Sequence, residues 1–220
     1  MKPIYALLLH AIIFICCSFV QPILAQPIQP YVDKMLGSRG DDLLTVTVLL
    51  PDGGMLVGGY SDDVSAPNWE RSQSGRGGND YWIVRTDARG RKIWDRTYGG
   101  SGQDYLTSIT ANSDGSFLLI GISSSDRSGE KSRDSYGADD FWVVKISSTG
   151  QVIWDQTIGS FGTDAPWSSV STADGGVIIV GVSNSFHSVW KTEDPRGGTQ
   201  PITVMWSITG PITEGAMISG

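Results

Sequence analysis

Apolar residues in this chain fall into short runs cut by glycine, aspartate and serine, and past the N-terminal segment no long run of helix formers interrupts that pattern. FLLIG from Phe117 and VIIVG from Val177 are apolar at successive positions. A strand with one wet face alternates polar and apolar residues, so these runs predict strands buried on both faces. Asp-Gly pairs at Asp52-Gly53, Asp114-Gly115 and Asp174-Gly175 stand just before such runs. Asp-Gly accepts the positive φ angles of a tight two-residue turn, which predicts a hairpin at each.

The pattern repeats. YWIVRTDARGRKIWDRTYGG from Tyr81 recurs 60 residues later as FWVVKISSTGQVIWDQTIGS from Phe141, setting Trp82 over Trp142, Gly90 over Gly150 and Trp94 over Trp154. Upstream, PDGGMLVGG, SDGSFLLIG and ADGGVIIVG give three copies aligned on Asp52, Asp114 and Asp174. A repeat of this period is one supersecondary unit stacked on its neighbours. Each copy holds four predicted strands, which is the make-up of a propeller blade. The expected fold is therefore all-β: a partial β-propeller of about three four-stranded antiparallel blades, the third degenerate, preceded by a signal peptide. A two-sheet sandwich is the competing architecture, and it would bury one face of each sheet.

The boundaries follow. Lys2, the apolar stretch from Ile4 to Val20 and the exit at Ala25 have the order of a secretory leader, giving 1–25 as signal peptide and 26–35 as linker. Repeats are expected at 36–98, 99–158 and 159–220, the last aberrant after about 199, where TQPITVMWSITG replaces the aromatic-Trp-x-Val-Lys pattern and Pro201 takes the position of Phe141. Motif is lost there without loss of length, which is read as a truncated propeller with an out-of-frame tail. Closed propellers generally take at least four blades, so three would leave an apolar face uncovered.

Composition narrows the chemistry. Gly 28, Trp 8 and only 18% charged residues suit a turn-rich β protein. Both cysteines, Cys16 and Cys17, lie in the leader, so the exported part is expected to lack disulfides and thiolate chemistry. A net charge of −7 argues against nucleic acid, and membrane contact is expected only through the signal peptide during export.

The ordered motifs GGSGxD, DGG, a Ser-rich loop, GxDxWxVK and GxxxWD over roughly residues 36 to 198 resemble the ~60-residue β-propeller repeats of bacterial secreted and cell-surface proteins, many of which end in a type IX secretion sorting domain. The resemblance implies an extracellular or surface binding scaffold and supplies no catalytic residues.

Trp69 and Trp190, in loops, have the shape to stack on a sugar ring, and Asp126 and Glu130 sit in the long loop of the second copy beside Arg127, Lys131 and Asp134. Trp82, Trp94, Trp142, Trp154, Gly90, Gly150, Asp52, Asp114 and Asp174 recur at equivalent positions and are expected to be structural. Asp41, Asp42, Asp104 and Asp164, in Gly-flanked turns, suit either calcium or, better, their own backbone N–H groups. His187 has no second histidine beside it once His10 leaves with the leader, and Asp139 and Asp140 are adjacent in a strand and point apart. No cofactor, no metal and no enzymatic activity are expected; the expected partner is a protein or a glycan. The rival is a fragment of a propeller-type polysaccharide hydrolase.

Overall fold

The computed structural model describes residues 36–65, 71–172 and 176–183, and residues 202–208 as backbone. Among them every regular element is a strand: β1 (Asp42–Leu49), β2 (Met55–Ser61), β3 (Asp80–Thr86), β4 (Lys92–Tyr98), β5 (Asp104–Ala111), β6 (Phe117–Ser123), β7 (Asp140–Ile146), β8 (Val152–Ile158), β9 (Asp164–Ser171), β10 (Val177–Ser183) and β11 (Ile202–Ile208). They pair antiparallel in three sheets ordered β1-β2-β3-β4, β5-β6-β7-β8 and β11-β10-β9. Gly53 and Gly115 adopt positive φ in the β1–β2 and β5–β6 hairpins, as Asp-Gly predicts.

The sheets stack face to face. β5 lies over β1, β2 and β3, and β9 lies over β5, β6 and β7, so the first strand of each sheet packs across the sheet before it. Two cores fill the gaps. Leu56, Tyr81, Ile83 and Tyr98 of the first sheet meet Leu106, Ile109, Phe117, Leu119, Trp142 and Val144 of the second. Leu118, Ile120, Phe141, Val143 and Ile158 on the second sheet's opposite face meet Val177 and Ile179 of the third. The second sheet is thus covered on both faces, which explains the unbroken apolar runs of β6 and β7. The sandwich, with one covered face per sheet, is not what forms.

Side chains also cross the first gap as donors. Tyr81 Oη donates to the Trp142 carbonyl at 3.1 Å, and Tyr98 Oη to the Gly150 carbonyl at 2.9 Å. These bonds satisfy phenols buried in apolar surroundings.

A strand persists where the motif is lost: β11 pairs with β10, with Ile202 opposite Ser183 as Asp140 is opposite Ser123. The strand runs from Ile202, and Pro201 lies outside the described residues. Backbone pairing asks for N–H and C=O groups rather than for a particular motif, which is why strand and motif part company here.

Candidate binding surface

One end of the stack gathers the β2–β3 and β6–β7 loops and the β4–β5 and β8–β9 turns. Each repeat contributes the same turn to it. Gly100 N–H donates to Asp104 Oδ2 at 2.7 Å, and Ser160 N–H to Asp164 Oδ2 at 2.8 Å, the acceptor lying four residues on each time. Asp42 takes the corresponding bond from Ser38 N–H. The aspartate of GGSGxD therefore holds its own turn; among the described residues no group of three or more His, Cys, Asp or Glu is placed to hold a metal.

A second buried aspartate opens the third strand of the first sheet and of the second. Asp80 Oδ2 accepts from Arg76 N–H at 2.7 Å, and Asp140 Oδ2 from Tyr136 N–H at 2.6 Å. Asp80, Asp104 and Asp140 are all 0% exposed. Burial pushes the Asp80 carboxyl up to about 7; the Arg76 N–H opposes this, the neighbouring Asp104 adds to it, and the Arg71 and Arg76 charges oppose it further. Burial also raises Asp104 and Asp140. Gly99 lies between two of these acids: a β-carbon there would sit 1.7 Å from Asp80 Oδ1 and 3.0 Å from Asp104 Oδ2. Only glycine fits.

Buried cations complete the layer. Arg71 donates to Ser61 Oγ and Thr97 Oγ1, and Lys131 Nζ donates to Thr157 Oγ1 at 3.0 Å and Ser135 Oγ at 3.3 Å. Desolvation lowers both pKa values, against the pull of Asp80 on Arg71 and of Asp104 and Asp140 on Lys131. Both side chains point inward from long polar loops. A signal was present: Arg71 and Lys131 open RSQSGRG and KSRDSYG at the repeat spacing. A basic residue that recurs with its repeat is more readily structural than one that does not.

The proposed site residues separate accordingly. Glu130 is tied down: its carboxylate pairs with Arg76 at 2.5 Å and accepts from Gly99 N–H at 3.2 Å, bridging the loops of two sheets. Asp126 stays exposed on the loop crest. Trp69, Trp190 and Asp174 lie outside the described residues, as do His187 and the expected leader. Trp82 and Trp142 are fully buried, and each indole N–H donates to an aspartate of the next strand, Asp95 at 3.5 Å and Asp155 at 2.9 Å. Trp94 and Trp154 pack against the two cores. Asp52 accepts from Gly54 N–H at 3.0 Å and pairs with Arg85, while Asp114 accepts from Ser116 N–H at 2.8 Å and pairs with Lys145 at 3.2 Å. Gly90 and Gly150 take positive φ in the β3–β4 and β7–β8 turns.

The chain matches no protein-family model and no curated protein.

Proposed function

We propose that the chain is an exported, propeller-type scaffold that binds a protein or a glycan through the loops at this end and catalyses no reaction. One observation carries the reading: the β6–β7 loop is fixed from beneath and open on top. Ser125 and Lys131 anchor it in buried positions, while Asp126, Arg127, Ser132 and Asp134 are exposed. Asp134 Oδ1 accepts from Arg127 N–H at 2.9 Å, so the crest is held in one shape. A polar surface ordered in advance loses little conformational freedom when a partner docks.

The hydrolase alternative finds no comparable support. Asp80, Asp104 and Asp140, the acids whose pKa values burial raises, have no exposed surface on which a polysaccharide could act. Repeat spacing, stacked sheets and the first-strand packing are the features that favour a propeller. Glycan-array and protein-capture assays of the secreted chain, beside a hydrolysis screen, test the reading. A saturable binder weakened by Asp126→Ala is expected, with Trp69→Ala and Trp190→Ala separating a glycan from a protein ligand. Turnover of a polysaccharide without stoichiometric binding would overturn it.

A further inference from the structure

The two outer faces of the stack carry the two halves of a contact that the molecule already makes twice. In the gap between the second and third sheets, Thr110 Oγ1 on β5 bonds Ser169 Oγ on β9 at 2.9 Å, and Thr110 is 8% exposed. Val170 holds the position of Thr110 on the third sheet, since Thr110 pairs with Leu118 and Val170 with Ile178. Val170 is 58% exposed. Beside it, Ile178 and Val180 are half-buried, where Leu118 and Ile120 of the second sheet are buried against the third. Among the described residues no strand covers this face.

The opposite end of the stack presents the complementary half. Leu106 and Ile109 are the β5 residues that sink into the first sheet. By register their counterparts on β1 are Leu44 and Thr47, paired with Gly59 and Val57 as Leu106 and Ile109 pair with Gly121 and Leu119. Leu44 is half-buried and Thr47 exposed, and Met55 and Val57 of β2 are half-buried where Phe117 and Leu119 are buried. Trp82 and Val84 of β3 are already buried, which confines the open part to β1 and β2. The first strand is also the one that carries each contact inside the stack.

We propose that the third sheet of one copy receives β1 of a second copy, continuing the sheet-on-sheet contact from chain to chain. Thr47 of the incoming copy then faces Val170 as Ser169 faces Thr110. Such a contact is head-to-tail, so it closes into a ring when the rotation between copies allows and otherwise extends. Burial of aliphatic faces on both sides drives it, and the match of register makes it specific.

Sedimentation velocity of the purified chain over a concentration series is the test. The wild type is expected to sediment as an assembly larger than one copy. Val170→Lys and Thr47→Glu, each alone, are expected to shift it to single copies, while the double variant Val170→Lys/Thr47→Glu regains assembly because the new charges meet. The reversed pair, Val170→Glu and Thr47→Lys, is expected to behave alike, and recovery on pairing cannot arise from misfolding. A wild type that stays a single copy throughout overturns the proposal, as does an assembly that neither substitution alters.

Discussion

Asp80 is a carboxyl that the fold keeps dry. Its Oδ1 has no hydrogen-bond partner, its Oδ2 has one N–H, and Asp104 stands close by with an unpartnered oxygen of its own. The folded-state pKa, near 7, lies above that of an unfolded aspartate, so the folded state prefers the proton. The stability tied to that proton is fully present below about pH 4 and is lost as pH rises through about 7. Urea unfolding from pH 4 to 8 is therefore expected to show declining stability in the wild type. In Asp80→Asn the decline is expected to flatten, because the amide keeps an acceptor for Arg76 N–H and carries no charge. An unchanged slope would assign the pH dependence to other groups. Two turn glycines differ at the same scale: a β-carbon at Gly90 meets nothing within 4 Å, whereas at Gly150 it would lie 2.9 Å from Arg96 Cγ and 3.2 Å from Tyr98 Oη. Both hold positive φ, for which an L-residue incurs about 1–2 kcal/mol. Gly90→Ala is expected to lower stability by that amount and Gly150→Ala by more, as thermal unfolding of the two variants will show.

Among elements, the loops act as clamps on edge strands. The β2–β3 loop returns across β4, where Ser72 N–H donates to Asp95 at 2.7 Å and Gln73 Oε1 accepts from Thr97 N–H at 2.9 Å. Ser132 N–H reaches Asp155 at 3.0 Å in the same way on β8. Occupying backbone donors at an edge removes a template for unwanted strand pairing. Lys131 anchors the second clamp from inside, and its charge balances buried acids. Lys131→Met removes the charge and the bonds to Thr157 and Ser135, and is expected to lower stability. Limited proteolysis is expected to cut this variant between residues 124 and 139 faster than the wild type. Equal cleavage rates would show that Lys131 does not anchor the loop.

At the scale of the molecule, stability is a chain of neighbour contacts. The first gap holds a large aromatic core with Tyr81, Trp142 and Phe117, whose Tyr81 and Trp142 rings lie 4.9 Å apart. The second gap is lined mostly by aliphatic residues around Phe141. In a stacked repeat each unit depends on its neighbours, so a cavity loosens the weaker side first. Phe141→Ala is expected to lose about 3–5 kcal/mol. Hydrogen exchange is expected to rise in β9 and β10 before β1 to β4 respond. Uniform loss of protection across all three sheets would mean that the stack unfolds as one cooperative unit.

Strand positions and the hairpins at Asp52-Gly53 and Asp114-Gly115 were legible in the sequence, because they rest on periodicity and Asp-Gly turns, which are local. The structural role of aspartates in the GGSGxD turn was legible for the same reason: acceptor and donor lie four residues apart. What only the tertiary structure decided is where long side chains point. Arg71, Lys131 and Glu130 read as loop polarity, and the stack turned two of them inward and bound the third to Arg76, because the acids they balance come from strands distant in the chain. The persistence of β11 past the motif was likewise decided by pairing with β10, since hydrogen bonds between backbones carry no record of side-chain motif. The open faces on the first and third sheets show themselves only when positions equivalent in sequence differ in exposure.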